Sequence, residues 1–112
     1  MALLIVQASS EDTMAAPGNR QNNYVCVSVT DSAGAPVAGL TAANFKVDPL
    51  IVGPGGALVN IASANPVRLP GTYIVEVVPI GTQTWKAGVY IFAVAVARGP
   101  DQGQALCRVK MD

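Results

Sequence analysis

Branched apolar residues recur at every second position in three stretches, "YVCVSV" (24–29), "YIVEVV" (73–78) and "VYIFAVAVA" (89–97). A period of two places side chains on one face of a β-strand, and no segment sustains the 3.6-residue period of a helix over three turns. Between the Val-, Ile-, Thr- and Tyr-rich runs lie "DSAGAPVAG", "SANPVRLP", "PIGTQTWKAG" and "ARGPDQG". Glycine supplies positive φ and proline fixes φ while removing a donor, so these clusters are turns and loops. Strands are expected over residues 3–7, 24–30, 45–48, 57–62, 71–78, 89–97 and 104–111. About seven short strands in one chain predict an all-β fold, a two-sheet antiparallel sandwich, with a small barrel as the competing closure.

The length of 112 residues fits one domain over 1–112, large enough to bury a core without metal or disulfide staples. Charged residues are only 12% of the chain, and seven basic side chains cancel seven acidic ones. A neutral molecule has no long-range field with which to gather nucleic acid or anionic lipid, so neither partner is expected. Low charge with 51% hydrophobic residues points instead to a surface covered by a protein partner. The longest apolar run, residues 87–97, is too short for a membrane helix. The apolar run of residues 2–6 has no basic residue before it and is shorter than a leader needs, so it reads as the first strand. A mature domain cut from a secreted precursor stays open, and the compartment is not assigned.

The stretch "VSVTDSAGAPVAGLTAANFKV" (27–47) carries the most local detail. Asp31 is placed to hydrogen-bond its own backbone and Gly34 to take positive φ, which makes "DSAG" a turn. "APVAGL" then crosses extended between sheets with Val37 and Leu40 as apolar anchors. Thr41 caps a single turn that drops Phe45 into the core. A strand ending V-x-V-x-D, then G-x-P-V-x-G-L and a buried Phe, resembles bacterial immunoglobulin-like and prealbumin-like sandwich domains. "PGTYIVEVVP" (70–79) and "WKAGVYIFAVAV" (85–96) are similar to the strand openings of that family. The resemblance implies an immunoglobulin-like antiparallel β-sandwich of about seven strands. Such sandwiches serve as adhesin stalks, enzyme appendages, pilus parts and phage decorations, so the resemblance speaks to fold more than to activity.

The chain has no histidine, which removes the usual general base, the commonest zinc ligand and every Ser-His or Cys-His nucleophile. The acidic residues are scattered and show no calcium-loop spacing, and "VGPGGA" (52–57) lacks the ending of a phosphate-binding loop and reads as a hairpin turn. No catalytic residue, metal or cofactor is expected. Glu76 brings to mind the acid beside a Lys–Asn isopeptide crosslink, but alternation turns it outward with Ile74 and Val78. Alternation also turns Cys26 outward and Cys107 inward; an intradomain disulfide stays open.

Two surfaces remain as candidates for function. In residues 89–97, Tyr90, Phe92, Val94 and Val96 form one face, and Val89, Ile91, Ala93, Ala95 and Ala97 the other. Both faces are apolar, whereas the water-facing side of a sandwich strand should be polar. Ile74 and Val78 extend this outer apolar character on a second strand. The expectation is a contact surface for another copy or for a subunit of a larger complex, such as a phage, tail-like or surface assembly. The rival explanation covers that face with the long loop 9–23. The second candidate is Trp85, whose ring and neighbouring loops would recognise a glycan or protein in a ligand-binding or adhesion module.

Overall fold

The computed structural model describes residues 3–10, 18, 20–51 and 58–111. Seven strands follow one another: β1 (Ile5–Ser10), β2 (Asn23–Thr30), β3 (Phe45–Ile51), β4 (Val59–Pro66), β5 (Thr72–Pro79), β6 (Gly88–Arg98) and β7 (Asp101–Met111). They form a four-stranded sheet in the order β1-β2-β5-β4 and a three-stranded sheet in the order β3-β6-β7. All strand pairs within the sheets are antiparallel. This is the strand order of the constant-type immunoglobulin sandwich. The barrel alternative falls away.

The alternation seen in the sequence is the packing rule of the interior. Val25, Val27 and Val29 of β2 and Tyr73, Val75 and Val77 of β5 point inward from the larger sheet, all 0–1% exposed. Phe45, Val47, Tyr90, Phe92, Val94, Val96, Cys107 and Val109 meet them from the smaller sheet. Where antibody domains place an inter-sheet disulfide, this core uses valines and rings: both cysteines are free, with Cys26 half-buried on the outward side of β2 and Cys107 buried in the core. Burial pushes the Cys107 thiol pKa up, against the thiolate form.

Expected and observed strands agree in number, and the differences sit at their ends. The first strand starts at Ile5 rather than Leu3, because the start of the apolar run leaves the larger sheet. Leu3 forms a parallel bridge with Gln102, and the Leu4 N–H donates to the Gln102 carbonyl at 2.9 Å. One short run therefore ties both sheets together along this side. Gly103 permits the crossing, since a Cβ there would collide with the Leu4 carbonyl oxygen. The turn expected at 52–57 lies outside the described residues.

The crossover from β2 to β3 follows the expected chemistry. The Asp31 carboxylate accepts the N–H groups of Ala33 and Ala35, each at 2.9 Å, and Gly34 takes φ +85°. Val37 and Leu40 are buried as anchors. The Tyr73 hydroxyl donates to the Val37 carbonyl at 2.7 Å and accepts the Leu40 N–H at 3.2 Å, so one side chain from β5 pins the crossing backbone. Asn44 closes the single 3-10 turn Ala42–Asn44: its side chain accepts the Thr41 N–H at 2.8 Å and donates to the Ala97 carbonyl at 2.9 Å. Phe45 then enters the core with its ring edge-on to Tyr73, centroids 5.4 Å apart.

Asn23 joins the core although the strand signals of the sequence begin only at Tyr24. Its position extends the inward face of β2, and it is fully buried with both amide atoms unpartnered. Such a group typically costs about 1–3 kcal/mol, a cost the surrounding apolar burial offsets.

Removing the Tyr73 hydroxyl leaves the Val37 carbonyl and the Leu40 N–H without their partner while keeping the ring. Tyr73→Phe is expected to lower unfolding free energy by about 1–3 kcal/mol, measured by urea denaturation. An unchanged midpoint would mean that the hydroxyl is not what holds the crossover.

Candidate interaction surface

The outward side of the three-stranded sheet is built around β6, which lies between β3 and β7. Val89, Ile91, Ala93 and Ala95 form its spine, and Ala93 is buried by its neighbours at 8% exposure. Register places Lys110 beside Val89, Arg108 beside Ile91, Leu106 beside Ala93 and Gln104 beside Ala95 on the β7 side. On the β3 side Asp48 lies beside Ala93 and Lys46 beside Ala95. Lys46 and Asp48 approach to 3.8 Å and are largely exposed, so this ion pair adds little stability.

Three leucines stand out from this sheet. Leu106 is 61% exposed next to Ala93, and Leu50 is 60% exposed at the β-bulge between Pro49 and Ile51. Leu3 is 67% exposed beside a shallow hollow of about 290 Å³ that it shares with Ala95, Ala97, Gln102 and Gln104. Leu3 stands at the edge of the hollow, which Gln102 and Gln104 line together with the alanines. The face therefore carries separate apolar knobs at Leu106 and Leu50, and its charges lie to the sides of the spine.

Ile74 and Val78 do not belong to this surface. They lie on β5, in the other sheet, and their outward side chains are on the opposite face of the sandwich. The six residues expected to form one interface are thus divided between two faces, because strands five and six of a sandwich of this topology occupy different sheets. Around Ile74 and Val78 the surface mixes polar side chains with Tyr24 and Cys26, and Glu76 at its centre is hydrogen-bonded. Glu76 accepts a hydrogen bond from the Ser63 hydroxyl at 2.5 Å and one from the Asn22 amide at 3.1 Å, and the Ser10 hydroxyl donates to the Tyr24 carbonyl at 2.8 Å. No lysine side chain is buried among the described residues, so Glu76 has no crosslinking partner at hand.

Trp85 is 0% exposed and cannot serve as a stacking platform. Its ring meets Tyr90 edge-on at 5.5 Å, and its indole N–H donates to the Gln21 carbonyl at 2.7 Å. The Trp85 carbonyl accepts the Gly18 N–H at 2.7 Å, and Arg20 donates to the Pro79 carbonyl at 2.6 Å. A lone Trp before a strand gives no sequence signal of its direction; here it is the closing ring of the core. The same contacts place the described part of loop 9–23 against β5, Trp85 and Glu76, away from the spine of β6; residues 11–17 and 19 lie outside the described residues.

Elsewhere, the open seam between the edges of β3 and β4 forms a groove of about 530 Å³ lined by Phe45, Val47, Val59 and Ile61, with Lys46, Asp48 and Asn60 also along it. Its walls are the ends of the core rather than paired acid–base groups. Among the described residues no three His, Cys, Asp or Glu side chains converge as metal ligands, and no helix is long and apolar enough to cross a membrane.

No family model matches this chain, and no curated protein or solved structure matches it either.

The Glu76 network carries a pH signature. Hydrogen bonds from Ser63 and then Asn22 hold its carboxyl pKa below the ordinary value, against a smaller opposing effect of burial. Because the folded value is the lower one, the stabilisation is complete above the unfolded carboxylate range and is lost as pH falls through the folded value. Melting temperatures taken between pH about 6 and about 3 should fall more for the parent chain than for Glu76→Gln. Parallel curves would show that the network contributes no pH-dependent stability.

Proposed function

We propose that the protein is a non-catalytic building block that works by assembly, joining a second copy or a subunit of a larger complex through the outward face of its three-stranded sheet. The observation that carries this reading is the contrast between the two outward faces. The four-stranded sheet turns Glu76, Ser63, Gln7 and Ser28 outward among Ile5, Tyr24, Ile74 and Val78, so polar side chains interrupt its apolar ones on the central strands as well as at the edges. The three-stranded sheet turns Val89, Ile91, Ala93 and Ala95 outward with exposed Leu106 and Leu50 beside them. Contiguous apolar surface of this kind usually marks a partner site. The low charge of the chain and its lack of histidine support a binding rather than a catalytic role. The resemblance to bacterial immunoglobulin-like domains suggests a phage, tail-like or surface assembly as the setting. The buried position of Trp85 removes the ring on which a glycan-binding reading rested.

Light scattering behind size exclusion, over a concentration series, tests the proposal. A mass above the 11.5 kDa of one chain is expected to appear as concentration rises. Ile91→Lys should return the protein to a monomer, whereas Ile74→Lys, on the opposite face, should leave assembly unchanged. A monomer at every concentration would overturn self-assembly, and equal loss with both variants would overturn the choice of face.

A further inference from the structure

Independently of the β6 face, we propose that the open seam between β3 and β4 takes up an extended segment of a partner protein, paired antiparallel with β3 and carrying the pattern basic–apolar–acidic–apolar. The free edge of β3 can be read from its neighbours. The Asn44 amide donates to the Ala97 carbonyl at 2.9 Å, so that carbonyl faces β3, and alternation turns the backbone groups of Ala95 and Ala93 the same way. Their partners Lys46 and Asp48 hold the ladder bonds, while Phe45, Val47 and Pro49 turn theirs to the seam. Pro49 fits this assignment, since a proline within a sheet is tolerated where its nitrogen faces away from the paired strand. The Phe45 N–H is taken by the Ala42 carbonyl. That leaves the Val47 N–H and C=O and the Phe45 C=O, and no described residue bonds them across the seam.

The seam also has the room. Val59 and Ile61 of β4 line the groove together with Phe45 and Val47, so the inner side of an added strand meets apolar walls. At about 3.3 Å per residue, about 4.8 Å between strands and about 10 Å between sheets, four residues occupy roughly 600 Å³. The groove holds about 530 Å³. The Ala42–Asn44 turn stops the free edge at one end, and Pro49 with its bulge stops it at the other. Variable-type immunoglobulin sandwiches carry extra strands at this same edge, so the architecture accommodates one.

Charge selects the occupant. Lys46 and Asp48 lie on the outward face of β3, largely exposed and beside alanines of β6. An antiparallel strand sets its successive residues across from Asp48, Val47, Lys46 and Phe45. Opposite charges directly across a strand pair stabilise it and like charges destabilise it, which asks for a basic residue first and an acidic one third. The second residue exchanges both hydrogen bonds with Val47 and points into the groove. The fourth gives its N–H to the Phe45 carbonyl, so it is not a proline. A second copy would offer Lys46, Val47, Asp48 and Pro49 in this frame, with the right charges but a proline in the fourth place. The Phe45 carbonyl would then stay unbonded, and the occupant is a different protein.

Synthetic peptides titrated into the isotope-labelled full chain test this by amide NMR. The capped peptide Thr-Lys-Val-Glu-Val-Thr is expected to shift the resonances of Phe45, Lys46, Val47 and Asp48 and of Val59 and Ile61, saturating in the millimolar range as befits a short slot. The charge-swapped peptide Thr-Glu-Val-Lys-Val-Thr should bind about fivefold more weakly or worse, and Thr-Lys-Val-Glu-Pro-Thr should also lose affinity. In the double variant Lys46→Glu, Asp48→Lys the order of the two charged peptides should reverse, which a change in folding alone does not produce. Absence of seam shifts with every peptide, or equal affinity for the charge-swapped pair, would overturn the proposal. Loss of binding in Ile91→Lys would overturn it by moving the peptide to the β6 face. Seam shifts and a doubled mass on raising protein concentration alone would overturn it in favour of a second copy.

Discussion

The fold depends on one side chain that belongs to one sheet and bonds the backbone running to the other. Tyr73 stands on β5 in the middle of the core, and its hydroxyl holds both the Val37 carbonyl and the Leu40 N–H. The segment it holds runs exposed from the four-stranded sheet to the three-stranded one except where Val37 and Leu40 dip into the core, and there unpaired backbone groups are costly. Without ladder partners for those atoms, the hydroxyl supplies them. The crossing then delivers Phe45 against the Tyr73 ring, and β3 begins in register with β6.

From that alignment the two outward faces acquire their different characters. Alternation is strict on both central strands, so each side chain that does not enter the core must face outward. On β5 the outward set includes Glu76, which Ser63 and Asn22 satisfy, and water can cover the rest. On β6 it is Val89, Ile91, Ala93 and Ala95, and the strand carries no polar side chain before Arg98 at its end. Sequence alternation alone cannot distinguish a buried outward face from an exposed one. The two edge neighbours decide it: β3 and β7 bring Lys46, Asp48, Arg108 and Lys110 to the sides, burying Ala93 and leaving Val89, Ile91 and Ala95 partly exposed.

Most of the fold was legible because the information was local. The seven strands, the Asp31 turn, the Thr41 turn and the burial of Phe45 each follow from a few neighbouring residues, and the structure contains all of them, with the strand ends shifted. The candidate site was legible only in part, because it depends on which strands share a sheet. Ile74 and Val78 have the same outward alternation as Ile91, yet strand order puts them on the opposite face. Trp85 precedes a strand, where periodicity says nothing about direction, and its place in the core is fixed by a partner far away in sequence, the Gln21 carbonyl. Asn23 was hidden for a similar reason: polar residues signal loops, and only the β2–β5 pairing shows that it extends a core face.

We propose that the protein assembles through the outward face of β6 and not through that of β5, and self-association is the form of assembly open to direct test. Backbone amide NMR spectra recorded over a dilution series test it most directly. The account predicts concentration-dependent shifts at Val89, Ile91, Ala93, Ala95 and Leu106, with Ile74, Glu76 and Val78 unmoved. Shifts confined to the β5 face, or none at any concentration, would contradict it.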